Sequence, residues 1–246
     1  MATEKPYYES CAYNSEPIGD VLEQLLRTKR ICCPVDVCTS SSSSGGKSSP
    51  CAGGVSVLEV AAGTGQHAVY MTQRFPPPLI TRWVCTDLPE MLPGICRWLQ
   101  EDGKDHPALV KRPYALSFTD MEARWLEIRA LATEFPHLGY DLVFTANSFH
   151  IAPWRACRTL IQRLPLVVRP GGMFIVYGAF NYNGAYTSES NRRFDAQLKQ
   201  CDPERGIREK EAVESLLAQV DFKLEEDYAM PENNRCLCFR RHTRAH

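Results

Sequence analysis

The sequence predicts an alternating α/β fold. Its centre is a mostly parallel seven-stranded sheet with helices packed on it, and its last pair of strands forms an antiparallel hairpin. Three observations carry this. The stretch Val55-Ser56-Val57-Leu58-Glu59-Val60 is a short, apolar, β-branched run that meets the turn Ala61-Ala62-Gly63-Thr64-Gly65 and then a helical pattern, the strand–turn–helix of open α/β sheets. Apolar strand patterns then alternate with helical ones at the spacing of right-handed βαβ units. Finally, Pro231-Glu232-Asn233-Asn234 joins two closing strands by a connection too short for anything but a hairpin.

The elements follow in order. Residues 1–16 are polar and aromatic with no clear period, and a helix is expected from Pro17 to Lys29, where Ile18, Val21, Leu22, Leu25 and Leu26 share one face. Residues 39–50 are serine-rich and of low complexity, which predicts a flexible insertion inside the fold. Strands are expected at 55–60, 82–86, 110–115, 140–146 and 172–180, and helices near 65–74, 89–101, 122–133 and 153–168. The Pro170-Gly171-Gly172 turn should separate the last of these helices from its strand. Helices at 188–200 and 208–219 precede strands at 222–230 and 235–241, all within a single domain spanning residues 1–246. A parallel sheet closed by such a hairpin is the architecture of class I (Rossmann-like) S-adenosylmethionine (SAM) methyltransferases. A dehydrogenase domain would add another parallel strand.

Composition narrows the function. The net charge is -1, with 44% hydrophobic and 23% charged residues, so no global field draws nucleic acid or anionic membrane. The basic run Arg240-Arg241-His242-Thr243-Arg244 reads as a solvated tail. No apolar stretch approaches the roughly 18 residues of a membrane span. Eleven scattered cysteines, without zinc spacing or a signal-peptide pattern, predict a soluble protein in a reducing, cytoplasmic setting and no metal site. Gly45-Gly46-Lys47-Ser48 imitates a phosphate-binding loop but lacks both its first glycine and a preceding strand.

The chemistry gathers at strand ends. Glycines at 63 and 65 let a ligand approach the backbone, and Asp87 ends the next strand 22 residues after Gly65, an offset suited to ribose hydroxyls. Two glycines rather than three leave a pyrophosphate fingerprint incomplete, which favours SAM over a dinucleotide. Glu59, Ala61, Gly63, Gly65, Asp87, Ser117 and Asn147 are therefore expected to hold the cofactor. Past the fourth strand, Asn147, His150 and Trp154 project toward it. His150 is either a general base or a histidine anchoring its loop.

Four segments resemble the SAM-methyltransferase-like family typified by methyltransferase-like protein 26. These are Leu58 to Tyr70, with its Gly-Thr-Gly-Gln-His string; Ala146 to Trp154, with His-Ile-x-Pro-Trp; Val176 to Phe180 with Ser190-Asn191-x-x-Phe194-Asp195; and Met230 to Asn234. The resemblance implies the class I fold and SAM binding, and leaves the acceptor open. It implies a polar pocket of Asn14, Asn147, His150, Tyr177, Asn191, Asp195, Arg208, Asn233 and Asn234. His150, Asn147 and Tyr177 would be catalytic and the others would hold substrate, Arg208 facing an anionic group. Ser190 reads instead as a helix cap. Tyr13, Ser117 and Arg205 stand where the family pattern has arginine, aspartate and tryptophan. The expected function is methyl transfer to a small or medium-sized molecule. The rivals are a non-catalytic SAM-binding or protein-interaction member of the fold, and a nucleotide-dependent oxidoreductase.

Overall fold

A computed structural model describes residues 5–28, 31, 54–132 and 139–242. The serine-rich insertion and the end of the basic tail lie outside the described residues. Nine strands and seven helices alternate among those described. They are α1 (Glu9–Arg27), β1 (Val55–Val60), α2 (Gln66–Arg74), β2 (Ile80–Asp87), α3 (Leu92–Glu101), β3 (Tyr114–Ala115), α4 (Glu122–Arg129), β4 (Tyr140–Ala146) and α5 (Trp154–Val167). There follow β5 (Val168–Gly178), β6 (Phe180–Asn181), α6 (Glu189–Cys201), β7 (Arg208–Glu209), α7 (Lys210–Gln219), β8 (Phe222–Ala229) and β9 (Arg235–Arg241).

Seven strands form one sheet in the order β3-β2-β1-β4-β5-β9-β8. The pairs among β1 to β5 are parallel, and β9 is antiparallel to both β5 and β8. The alternation of side chains along each strand divides the core between the two faces. On one face Val57, Trp83, Cys85, Phe144, Ile175 and Tyr177 pack against α1, α2 and α3. On the other Leu58, Val60, Val84, Val143, Phe174 and Val176 pack against α4, α5 and α7. Each such fully buried side chain contributes about 1.5–3 kcal/mol. At the amino end of the strands, Asp141 accepts Ser56 N–H (2.8 Å), Ser56 Oγ–H (2.7 Å) and Arg169 Nε–H (2.6 Å), so a buried ion pair is fully hydrogen-bonded there.

Local departures from the predicted elements have physical causes. Helix α1 starts at Glu9, eight residues before the expected start, and runs through Pro17. Pro17 forfeits one backbone bond, but the turns before it bury Cys11, Asn14 and Ser15 and so hold the helix. β3 shrinks to two residues beside Pro113, with only a bridge from Leu109 to Trp83 ahead of it. Pro170-Gly171-Gly172 is not a turn before β5. It lies inside that strand as an irregularity in its pairing with β4, with Gly171 at φ +73°. Arg208 and Glu209 pair with Phe180 and Asn181 instead of opening a helix. Ser188, not Ser190, caps α6 by accepting Asn191 N–H.

Candidate functional site

The carboxyl ends of β1, β2, β4 and β5 meet along one edge, and two groups of polar residues stand on it. The first is the turn after β1. There the chain reverses within a few residues, and Ala61, Gly63 and Gly65 all take positive φ (57°, 61° and 87°). For glycine this is free; for Ala61 it stores strain, a mark of functional backbone. Asp87 sits against this turn. One carboxylate oxygen accepts Gly63 N–H (2.7 Å) and the other Leu88 N–H (2.7 Å). Burial pushes the Asp87 carboxyl up, against the pull of those two amides.

Glu59 is placed differently from expectation. Its carboxylate turns into the core beneath the turn and accepts Trp83 Nε1–H (2.8 Å). Burial raises its pKa to about 8, so it is protonated at neutral pH. His67 faces the same layer from α2. Ser15 Oγ meets its Nδ1 at 3.1 Å, and its buried Nε2 has no partner among the described residues. Desolvation lowers its pKa to about 4.

A strap of residues 5–8 crosses this end, a feature the sequence reading missed. Tyr8 N–H donates to Gln66 Oε1 (2.8 Å), and Gln66 Nε2 donates back to Tyr8 O (3.3 Å). Trp98 Nε1 donates to Pro6 O (2.6 Å), and Lys5 lies over the Trp98 ring (4.0 Å). Between strap, turn and α3 lies a cavity of about 320 Å³, lined by Pro6, Tyr8, Gly63, Glu90, Met91, Pro93, Gly94 and Arg97. A Cβ added at Gly63 would point at the Tyr8 ring, 3.7 Å away. Gly63 is the turn residue on this wall, with Asp87 bonded behind it through the Gly63 N–H; a glycine backbone beside a carboxylate suits a nucleoside with a free diol and no phosphate, so the residues fit an adenosyl cofactor. Ser117 flanks the same edge. Its N–H is held by Asp120 (2.8 Å), and the preceding Leu116 N–H by Asp87 O (2.8 Å).

The second group is built from side chains. Tyr177, at the end of β5, donates to Asn14 Oδ1 (2.7 Å) and accepts from Asn234 Nδ2 (3.1 Å). This chain, buried at Asn14 and Tyr177 and half-buried at Asn234, joins α1, β5 and the β8–β9 connection. Asn147 has φ +53°, and its N–H donates to Tyr177 O (2.9 Å). A Cβ at Gly178 would meet His150 Nδ1 at 3.4 Å and Asn147 Oδ1 at 3.7 Å, so that glycine leaves room between the two side chains. Burial and then the charge of Arg208 lower the His150 pKa to about 4. Burial raises the Tyr177 hydroxyl to about 12.

Asn14, Tyr177 and Asn234 thus form one hydrogen-bonded group, and the side chains of Asn147 and His150 stand beside Gly178, the next residue of β5. The other substrate candidates brace the surrounding loops. Arg208 donates to the carbonyls of Phe149 (3.0 Å), Ala152 (2.6 Å) and Glu204 (2.8 Å). Asp195 accepts Tyr186 Oη–H, Lys199 Nζ and Ile207 N–H. Asn191 donates to Thr187 Oγ1 and to the backbone carbonyl of Asn233.

Strand order, terminal hairpin and acid-linked glycine turn define the class I methyltransferase fold. Solved structures agree. An O-methyltransferase family protein from Burkholderia thailandensis matches with TM-score 0.63 at 12% identity, covering 97% of this chain and 62% of that one. The S-adenosylmethionine-dependent methyltransferase SibL matches with TM-score 0.58 at 23% identity, covering 77% and 51%. Magnesium protoporphyrin IX methyltransferase (ChlM) from Synechocystis PCC 6803 with bound SAH matches with TM-score 0.59 at 10% identity, covering 94% and 84%. The chain spans 51–62% of the length of the first two, and at these identities the likeness concerns the fold. Residues 48–241 match the family described as "Protein of unknown function (DUF938)", and the chain belongs to that family. No described helix is long and apolar enough to cross a membrane.

Proposed function

We propose that the chain is a single-domain, cytoplasmic SAM-dependent methyltransferase acting on a small or medium-sized molecule. The Gly-Thr-Gly-Gln-His and His-Ile-x-Pro-Trp strings support a place within the group typified by methyltransferase-like protein 26. The observation that carries the functional reading is Asp87, hydrogen-bonded at once to the glycine turn and to Leu88. A carboxylate fixed there is placed to accept both hydroxyls of a ribose, and charged acceptors make the stronger hydrogen bonds. In this reading Ala61, Gly63 and Gly65 give backbone access for the amino-acid end of the cofactor, Ser117 borders the adenine, and Asn147 lies between cofactor and acceptor.

When bound, SAM supplies a methyl group on a cationic sulfonium. The protein's own task is alignment, since in-line displacement rewards a held geometry by many orders of magnitude. Asn14, Tyr177 and Asn234 orient the acceptor. The Tyr177 hydroxyl keeps its proton at neutral pH. His150 carries a neutral imidazole and is the residue able to take up the acceptor's proton. The kcat profile should accordingly show no inflection near pH 6.5, because that imidazole stays neutral down to about pH 4. An acid limb centred near 6.5 that persists unchanged in His150→Gln would remove His150 from this role.

One observation favours a second reading: a base held near pKa 4 is weak, as a non-catalytic SAM-binding member of the fold would tolerate. Two measurements separate the readings. Calorimetry with SAM should show binding that Asp87→Ala weakens; a well-folded wild type that binds nothing ends the cofactor assignment. Labelled SAM with a metabolite extract should then give a product that disappears with His150→Ala or Asn147→Ala. Binding without product would leave the non-catalytic reading.

A further inference from the structure

The turn that carries His150 is gripped from a distant segment. Ile151 N–H and Ala152 N–H both donate to Ser148 O (3.1 and 2.8 Å), which closes the turn on itself. The carbonyls of Phe149, His150 and Ala152 are taken instead by the arm Gly206-Ile207-Arg208. Gly206 N–H donates to His150 O (3.0 Å). Arg208 Nε–H donates to Phe149 O (3.0 Å), and an Nη2–H to Ala152 O (2.6 Å). The arm is itself anchored. Arg208 pairs with Phe180 strand to strand, and Ile207 N–H donates to Asp195 Oδ1 (2.7 Å). A Cβ at Gly206 would come within 2.8 Å of that same oxygen, so only glycine lets the arm lie there. The His150 ring is bounded on two further sides. Phe194 meets it edge-on, with centroids 5.2 Å apart, and the bare Cα of Gly178 leaves room beside Nδ1. His150 is buried, yet neither ring nitrogen makes a hydrogen bond among the described residues.

We propose that Arg208 is the positioning residue for His150: its two-pronged hold on Phe149 and Ala152 fixes the imidazole beside Gly178, and its charge keeps that imidazole unprotonated until an acceptor delivers a proton. The inference rests on the methyltransferase reading, in which His150 takes that proton, and deepens it. The two carbonyls flank His150 in the chain, and one planar guanidinium reaches both; an ammonium offers no such fork. Turning the imidazole away with its loop would break both bonds, and bonds from a charged donor are the stronger kind. The third prong goes to Glu204 O, and no carboxylate pairs with Arg208 among the described residues. Its charge is therefore uncancelled, and a cation beside an imidazole disfavours the imidazolium. Burial acts on His150 in the same direction and more strongly. The other charges on the packed elements are paired: Asp195 with Lys199, Glu204 with Arg155, Arg205 with Asp202. Cys157 Sγ lies against the same two carbonyls (3.5 and 3.9 Å) and keeps its proton, since burial pushes the thiol up to about 12. An anionic acceptor would have to break the hold on the turn in order to reach Arg208.

The test follows the His150 ring by NMR of the full chain, histidine-labelled and with SAH bound, its signal identified by its loss in His150→Gln. Arg208→Gln removes fork and charge together. Arg208→Lys keeps the charge without the fork. Arg155→Gln is the control, since it removes an exposed charge already paired with Glu204. In wild type the ring should stay neutral down to about pH 4. Arg208→Gln should raise the titration midpoint by roughly half a pH unit, an about threefold easier protonation, and Arg208→Lys should not move it. Both Arg208 variants should speed amide hydrogen exchange at Ile151 and Ala152 about tenfold, as the turn loosens. Arg155→Gln should change neither readout. The proposal is overturned if the midpoint stays put in Arg208→Gln, or rises equally in Arg208→Lys or in Arg155→Gln. Unchanged exchange in the Arg208 variants overturns it as well. Should Arg208→Gln not fold, Arg208→Lys decides alone: faster exchange at an unmoved midpoint supports the proposal, and unchanged exchange ends it. All these results are obtained with SAH bound and leave the methyltransferase reading intact. Failure of SAH to bind the wild type, by calorimetry, defeats that reading and this inference with it.

Discussion

The two ends of the carboxyl edge are built on different principles. At the end proposed for the cofactor the polar groups are backbone: three positive-φ residues, two amide N–H groups and one carboxylate that grips them. At the end proposed for the acceptor they are side chains, from α1, the exit of β4, the end of β5 and the β8–β9 connection. Backbone recognition suits a ligand that never changes. Side-chain recognition can be altered one residue at a time, so specificity is free to change at the second end while the first stays fixed.

Substitutions can break or sharpen this contrast. The largest effect is expected at Glu59, which belongs to the fold beneath the turn. Its folded pKa is raised from 4.5 to about 8. The folded state keeps the proton and the unfolded chain releases it, so stability is fully retained below pH 4.5 and is lost as pH rises toward 8. Glu59→Gln removes that penalty. Its urea-unfolding advantage over wild type should widen between pH 5 and pH 8 by roughly 1 kcal/mol per pH unit, with SAH affinity little changed. An advantage independent of pH would return Glu59 to the crevice.

Next comes Asp87→Ala. Loss of two charge-assisted hydrogen bonds to a ribose, together about 3 kcal/mol, should weaken SAH about 100-fold by calorimetry. Equal affinity would mean that the turn alone suffices. Tyr177→Phe should act on the other end only. It strands Asn14 Oδ1 and Asn234 Nδ2, lowering stability by about 1–3 kcal/mol in denaturant titration and reducing turnover, with SAH binding preserved. If SAH binding fell in step, the two ends would not be separable. The smallest effect belongs to Gln66→Ala, which frees the strap from two hydrogen bonds. SAH release, followed through Trp98 fluorescence, should quicken about fivefold, for a net loss of about 1 kcal/mol.

The same contrast governs how much was legible in the sequence. Strand order, hairpin and glycine turn could be read because each is written in contiguous residues with its own period. The residues proposed for the acceptor end could be named from the sequence, but the hydrogen bonds among them could not. Asn14 and Tyr177 lie far apart in the chain, and nothing in either segment announces their bond. Arg208 and Asp195 are polar, yet loop groups had first claim on them: three backbone carbonyls on Arg208, and Tyr186, Lys199 and the Ile207 N–H on Asp195. The start of α1 was hidden because Pro17 looks like a beginning while tertiary burial of Cys11, Asn14 and Ser15 carries the helix past it. The strap was missed because four residues have no period. Gln66 and His67, directly after Gly65 at a helix start, were the available signal.

Helix α1 and the strap that leads into it touch both ends, Tyr8 at the glycine turn and Asn14 at Tyr177. A helix resting on both proposed sites would make each a partial sensor of the other. Thermodynamic reciprocity then sets a quantitative condition: whatever factor SAH adds to the affinity for the methyl acceptor, the acceptor must add to the affinity for SAH. A bulky tag fused just ahead of Lys5 would be felt at both sites together.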